Sequence, residues 1–577
     1  MQRLEMKDGV PMVTLELYEN EYKDMHMVHK VVEKWAKEKP NEVGLICYND
    51  KREFTWSQIQ ARIDALALKL VDMGFKKGDF FVTSLPFNPE HIFLEYACFQ
   101  IGVVYVPLDI RQKGPEVVRC VTLVNGRAYA HMGKLDLADF SVLGESVRYN
   151  CPFVQFILEF SHPDECKENT IPALTMAKDA EVLYRKVMNR DLSDLKSKWE
   201  AMKSGVKETD ACMVIYTTGS TGFPKPALLS HRGITAQNLC LGMGFQIEST
   251  DSMLVNLPPS HVGGQTEQLM TTWFMGGKAV VLNLFNAYQS LKAIERYKIT
   301  CLGQIPALFN YEWDLPNYND FNLSSLKFAL YGGQAVSRQF LEKLAKMAPK
   351  FGTGLGLTET SGFCTYTPLN GTIDDILAGV GYAMPITPIS IREPMQADGM
   401  AGKEKAKGEV GEICFSGPQI FLGYVNDKEN TDKTISKDGW CYTGDLGYYD
   451  EKGLHFAGRS KLMIKPKGYN VFPTEVENYI ADKMKDKVNA VGVVGVKHEK
   501  FSEAIVAYVE KKENVPLTVE EVQKVCKEMT AYKRPELIEI LEYGEMPLNR
   551  VNKTDYVRLK KWADLKVEEL RKQGKWD

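Results

Sequence analysis

The chain has 577 residues, 44% hydrophobic and 25% charged, and Lys plus Arg (71) against Asp plus Glu (75) leaves a net charge of −4. That length exceeds what one hydrophobic core fills, so two or more domains are expected, and the balanced, interspersed charge excludes the basic footprint of a nucleic-acid binder. No apolar run is long enough to span a bilayer and "MQRLEMKDGV" lacks a signal-peptide core, so a soluble, cytoplasmic protein is expected.

The first well-marked element is "FTWSQIQARIDALALKLVDMGFKKGDFFVTSLP". Thr55 and Gln58 have capping-box spacing, and Ile59, Ile63, Leu66 and Leu70 put one apolar stripe on a helix. Gly74 ends it, and "FFVTSLP" reads as the next strand. Strand-like and helix-like segments alternate in this way for most of the length, which predicts α/β architecture with largely parallel sheets. Composition changes near residues 395–410, where "MQADGMAGKEKAKGEVGE" is polar and glycine-rich, and a β-rich region is expected to follow. After "LHFAGRSKLMIKPKGYNVFPTEVE" come "VNAVGVVGV", "EAIVAYVEKK" and a helix opened by Thr518 with Glu521, a small α+β unit. The boundary is placed at Arg459 to Lys461, giving domains 1–459 and 460–577. Twelve cysteines, none in a C-x-x-C pair, read as buried thiols in a reducing compartment. Nine histidines show no metal-ligand spacing.

The densest cluster of donors is "YTTGSTGFPKPALLSH", Tyr216 to His231, directly after the apolar run "ACMVI". A strand running into a glycine- and hydroxyl-rich loop suits phosphate: glycines let backbone N–H groups approach the anion, and hydroxyls and a lysine add donors. The spacing is not that of a P-loop, since Gly219, Gly222 and Lys225 are three apart and Pro224 intervenes. Alone, such a loop has a lesser alternative reading as a turn-rich surface connection.

Its companions decide between the two. "YTTGSTGFPK" resembles the signature loop of adenylate-forming enzymes, the superfamily of acyl-CoA synthetases, peptide-synthetase adenylation domains and firefly-type luciferases. The resemblance continues in family order through "YGGQ" (Tyr331–Gln334), "GLTET" (Gly356–Thr360), "GWCYTGD" (Gly439–Asp445), "GRSKLMIKPKGYNVFPTEVE" (Gly458–Glu477) and "PLNRVNK" (Pro547–Lys553), and covers nearly the whole chain. It implies a large N-terminal domain of parallel-rich sheets plus a β-rich subdomain, and a small mobile C-terminal α+β domain. The implied chemistry is attack of a carboxylate on the α-phosphate of ATP, release of pyrophosphate, and transfer of the acyl group from its adenylate to a thiol. Negative charge gathers at phosphate in both steps, so positioned donors carry most of the catalysis.

By that resemblance Thr217, Thr218, Gly219, Ser220, Thr221, Gly222 and Lys225 hold the β- and γ-phosphates. Gly332, Gly333, Gln334, Thr353, Gly354, Leu355, Gly356 and Leu357 line the nucleotide. Glu359 is the implied Mg2+ ligand and Thr358 an α-phosphate contact. Asp445 accepts from the ribose hydroxyls, with Arg459 as a second nucleotide contact. Lys553 is the implied catalytic lysine, Lys461 the hinge, and Gly468 the glycine beside the pantetheine arm of CoA. His261, Val262, Gly263, Gly264 and Gly356 wall the acyl pocket. Each has a plainer alternative: Glu359 and Lys553 as solvated charges, Asp445 as a turn former, His261 as a core histidine.

Three positions depart from the family pattern: Pro226 follows the loop lysine in place of Gly, Leu355 replaces the aromatic that stacks on adenine, and Asn552 replaces the Gly before the lysine. Pro258 to Gly264, "PPSHVGG", holds no Asp or Glu to bind a substrate ammonium, and no carrier domain follows residue 577, so a free carboxylic acid and free CoA are expected. Gly356, where acetyl-specific enzymes carry Trp, leaves room for a small to medium, cyclic or aromatic acid. The expected activity is an AMP-forming acyl-CoA synthetase using ATP, Mg2+ and CoA, in either direction. The alternatives are a luciferase-like oxygenase, a stand-alone adenylating enzyme for a carrier protein, and a non-catalytic nucleotide sensor.

Overall fold

A computed structural model describes residues 4–134, 138–189, 192–217, 224–467, 469, 471–549 and 553–576. Two sheets organise the larger part. One has eight strands in the order Gly423–Tyr424, Lys225–Ser230, Ala211–Thr217, Val104–Pro107, Phe80–Ser84, Ala128–Met132, Phe156–Phe160, Ile171–Pro172. It is parallel from Ala211–Thr217 onwards and antiparallel at the two strands before it. The other has seven: Phe351–Gly352, Phe328–Tyr331, Cys301–Gln304, Ser252–Val255, Lys278–Val281, Val43–Cys47, Glu53–Thr55. Only its last pair is antiparallel.

Alternate side chains on each strand enter different cores. Phe81, Tyr105, Met213 and Ile215 share one cluster with Met253, Val255, Ala279 and Val281 of the second sheet. Val82, Val104, Val106 and Val214 point the other way, onto Val117 and Val121 of the helix Gly114–Val124. Leu254, Val280, Leu302 and Ala329 likewise face Leu291 and Leu344 on the outer helices. Both faces of both sheets are therefore covered, which is why these strands read as continuous apolar runs. Truncating a side chain such as Phe81 to Ala in this setting costs about 3–5 kcal/mol.

Local sequence signals are realised as expected. The helix Trp56–Asp72 opens on a reciprocal capping box between Thr55 and Gln58, buries Ile59, Ile63, Leu66 and Leu70, and gives way to Gly74 at φ +82°. The polar 395–410 segment has a different place from the one expected. It does not precede the β-rich region but lies inside it, between the paired strands Ile389–Arg392 and Gly411–Phe415 of a four-stranded antiparallel sheet completed by Cys441–Asp450 and Gly453–Arg459. The strand before it, "ISIR", is too short to stand out from its surroundings.

The C-terminal region forms a three-stranded sheet, Val488–His498, Ser502–Lys511 and Leu537–Leu541. Its helix Val519–Cys526 opens on the Thr518–Glu521 capping box. One face of this sheet packs a cluster from Ile464 to Ile538, the other a cluster from Val494 to Val567. Among the described residues neither cluster includes a side chain before Ile464. All twelve cysteines are unbridged and eleven are buried. Among the described residues no helix is long and apolar enough to cross a membrane.

Candidate active site

The strand Phe328–Tyr331 delivers the "YGGQ" turn. Gly332 N–H donates to the Gln304 carbonyl at 3.1 Å, and Gly333 takes φ +90°, a conformation side chains disfavour. A Cβ on Gly333 would lie 3.1 Å from both Cε and Nζ of Lys553. A lysine 220 residues away thus lies against a backbone bare of side chain. The loop carrying it is tied by Lys553 N–H to Asn549 Oδ1 (3.1 Å) and Asn549 N–H to the Lys553 carbonyl (2.7 Å). Burial, then the charge of Arg459, lowers the Lys553 ammonium from 10.5 to about 8, opposed by Asp445 and Glu267.

Asp445 and Arg459 are cross-strand partners in the four-stranded sheet. Asp445 is buried, 3% exposed, and its Oδ1 lies 3.2 Å from Arg459 Nε yet has no aligned hydrogen bond among the described residues. Burial raises its pKa, and the charges of Arg459 and Lys553 act against that. Ion-paired but without an aligned donor, this buried oxygen keeps accepting capacity to spare. A pair of ligand hydroxyls would supply what it lacks.

Thr358 and Glu359 sit in the 3-10 turn Thr358–Thr360, at the tip of the small hairpin that pairs Gly356–Leu357 with Gly362–Phe363. Ser361 within it takes φ +58° while buried, donating from Oγ to the Gln419 carbonyl at 3.0 Å. Tyr424 OH donates to Glu359 Oε1 at 2.6 Å. Lys225 Nζ lies 5.0 Å over the same Tyr424 ring and donates to Asn430 Oδ1 at 3.0 Å. Pro226 is accommodated in the strand Lys225–Ser230, opposite Tyr216, with its carbonyl accepting from Val425 N–H. Thr353 donates to the Tyr331 carbonyl at 2.8 Å, binding this loop to the "YGGQ" strand. Leu355 is half-buried against the Cys364, Ile413 and Phe415 cluster, an aliphatic wall without the stacking term of an aromatic.

Of the residues expected to wall an acyl pocket, His261 precedes a π-helix, Gly263–Met270. Burial lowers the His261 pKa to about 4, and its Nε2 has no hydrogen bond among the described residues. Val262 packs on the large core, and Thr266 donates to the Ser361 carbonyl at 2.7 Å, joining this helix to the Thr358–Glu359 hairpin. Gly264 is buried in the π-helix, with Gly263 at its start. Glu267, within this helix, is under the electrostatic influence of Lys553. The absence of acid in Pro258–Gly264 therefore does not extend along the helix, where Glu267 follows three residues later. Gly356 also has a reason of its own: a Cβ there would lie 2.7 Å from Gly362 and Phe363 backbone atoms. The lack of a side chain at Gly356 is required by the hairpin, and so does not by itself measure an acyl pocket.

Thr217 ends its strand opposite Lys225. Thr218, Gly219, Ser220, Thr221, Gly222, Gly468 and Asn552 lie outside the described residues. Gln334 and Lys461 are exposed, Lys461 in the short turn that follows Arg459. Sequence reasoning missed Tyr424, Asn430 and Glu267. Tyr424 and Asn430 lie in "FLGYVNDKEN", which carries no spacing signal, whereas a wider window after "PPSHVGG" would have found Glu267.

The sequence pattern of the AMP-binding enzyme family matches residues 32–425, and that of the AMP-binding enzyme C-terminal domain matches residues 475–553. The chain belongs to the AMP-binding enzyme family. Similar members include a 4-coumarate–CoA ligase of Nicotiana tabacum, 25% identical over 84% of this chain and 85% of that protein. A mitochondrial medium-chain acyl-CoA ligase of Bos taurus is 24% identical over 89% and 85% respectively. An anthranilate CoA ligase solved with anthranoyl-AMP shares the fold with TM-score 0.79 at 20% identity, over 94% of this chain and 98% of that one. As a member of this AMP-binding family the chain is an adenylate-forming, AMP-producing acid–thiol ligase.

The donor set also fits magnesium. Among the described residues no group of three or more His, Cys, Asp or Glu would hold a metal by itself. Glu359 keeps Oε2 without a hydrogen bond among the described residues while Tyr424 fixes Oε1. One carboxylate completed by water and phosphate oxygens is the customary magnesium environment.

Proposed function

We propose that this enzyme activates a small to medium, cyclic or aromatic carboxylic acid as its adenylate and transfers the acyl group to CoA. The observation that carries the reading is Lys553, held against Gly333 and within the electrostatic reach of Asp445 and Arg459. In this reading Asp445 accepts from the ribose hydroxyls and Leu355 flanks adenine. The loop Thr217–Gly222 and Lys225 hold the β- and γ-phosphates. Lys553 lies between the acid carboxylate and the α-phosphate, where its charge offsets the repulsion of two anions and stabilises the charge developing in the displacement. Magnesium, held by Glu359, would neutralise phosphate charge.

Residues 1–459 and 460–577 act as two domains that turn about Lys461, withdrawing Lys553 and bringing Gly468 alongside the pantetheine arm for the second step. The separate apolar clusters of the C-terminal region support this division. The same groups serve both directions, so acyl-CoA, AMP and pyrophosphate would yield ATP where pyrophosphate is abundant. The reading also places the enzyme in the cytoplasm.

The test is acid-dependent ATP–pyrophosphate exchange across an acid panel, followed by CoA-dependent formation of AMP. Exchange with at least one acid, and thioester with CoA, is expected. ATP binding without exchange on any acid would refute catalysis, and exchange without CoA turnover would refute the acceptor.

A further inference from the structure

The π-helix Gly263–Met270 sets one carboxylate between two bare stretches of backbone. A Cβ on Gly362 would lie 3.0 Å from Glu267 Oε1, and one on Gly263 would lie 3.7 Å from Glu267 Oε2. Gly362 belongs to the hairpin that carries Thr358 and Glu359, and Gly263 follows His261 by two residues. Glu267 therefore stands at the junction of the adenylation hairpin and the acyl side.

It is not the only polar group there. Gln237 Nε2 lies 2.8 Å from the same Cβ position on Gly362, is fully buried, and has no hydrogen bond among the described residues. His261 Nε2 is likewise buried and without one. Burial raises the Glu267 carboxyl to about 7, with the Phe363 backbone N–H and the charge of Lys553 acting against it. A plain hydrocarbon acid offers the Glu267, Gln237 and His261 polar atoms no hydrogen bond. Apolar substrate would strip them of water and return no hydrogen bond, the situation in which an enzyme discriminates most strongly against the wrong substrate.

Building on the acyl-CoA ligase reading, we propose that the acid accepted by this enzyme carries a hydrogen-bond donor, a hydroxyl or an amino group, and that Glu267 is the residue that reads it. Gln237 and His261 supply the donors and acceptors around the same group. The carboxylate receives the substrate hydrogen, and no bond is made or broken at this residue. Glu267 sets specificity without entering the chemistry at phosphate.

The test compares acids in shape-matched sets: hydroxy-, amino- and methyl-substituted benzoates, and the corresponding cyclohexanecarboxylates, by kcat/KM in ATP–pyrophosphate exchange. The wild-type enzyme should favour the hydroxy or amino member over its methyl partner by about 10-fold to 100-fold. Glu267→Gln should bring that ratio to within about threefold, and Glu267→Leu should reverse it. Preference for amino over hydroxyl members identifies an ammonium-bearing acid, the converse a hydroxy acid, and either supports the proposal. The wild-type ratio needs no variant and stands should Glu267→Gln fail to fold. A wild-type ratio near one, or equal losses on all members in Glu267→Gln, would overturn the role of Glu267 while leaving ligase activity intact. Absence of exchange with every acid would overturn the ligase reading and this proposal with it.

Discussion

Raising pH removes the positive charge that Lys553 brings against Gly333. Burial and Arg459 lower the Lys553 ammonium from 10.5 to about 8. A group with that value is about nine-tenths charged at pH 7, one-tenth at pH 9 and one-hundredth at pH 10. If the charged form assists adenylation, kcat/KM for ATP should be flat to about pH 8 and then fall about tenfold per unit. Bound triphosphate adds negative charge beside the ammonium and raises its pKa, so kcat should hold its plateau to higher pH than kcat/KM. The assay is the initial rate of pyrophosphate release at low and at saturating ATP between pH 6.5 and pH 10. Lys553→Arg is the internal control, because a guanidinium stays charged throughout. Its activity should be reduced, but its alkaline limb should disappear. A wild-type kcat/KM that stays level to pH 10, or an unmoved limb in Lys553→Arg, would show that another group governs the profile.

Lys553→Ala should slow adenylation by roughly 10²–10³ and spare thioester formation from supplied acyl-adenylate; equal losses in both half-reactions would remove Lys553 from its assigned role. Lys461→Pro should do the reverse, since a fixed φ restricts the turn after Arg459. Adenylate would accumulate while CoA turnover falls, and wild-type turnover with CoA would mean the hinge lies elsewhere. Tyr424→Phe deletes the hydrogen bond to Glu359 Oε1, a contact to a charged group of about 1.5–3 kcal/mol. The magnesium concentration for half-maximal exchange should rise by about 10-fold or more with little change in Tm, and an unaltered magnesium curve would separate Glu359 from the metal.

Much of the fold was legible because its signals are local. The Thr55–Gln58 and Thr518–Glu521 boxes are written within four residues, and the strands of the two large sheets are buried on both faces, so each is a short apolar run. The polar 395–410 stretch misled because a hairpin loop and a boundary have the same composition, and only the pairing of Ile389–Arg392 with Gly411–Phe415 distinguishes them. At the site, motif order pointed to Lys553, but its approach to Gly333 joins positions that no local pattern relates. Gly356 shows the opposite difficulty. Sequence comparison offers pocket volume as the reason for glycine, whereas the backbone of Gly362 and Phe363 leaves no room for any side chain.

The π-helix Gly263–Met270 makes the direction of Glu267 a matter of winding as well as of residue type. A hydrogen-bonding step of five residues in place of four encloses one more residue in each bonded loop, and each residue of an α-helix corresponds to about 100° of rotation. Deleting one residue from this segment, with every remaining side chain kept, would let it rewind and swing Glu267 towards a different neighbour. Homologous segments of unequal length can thus present different walls from nearly the same letters. An alignment that closes such a gap by eye will pair side chains that never face the same substrate.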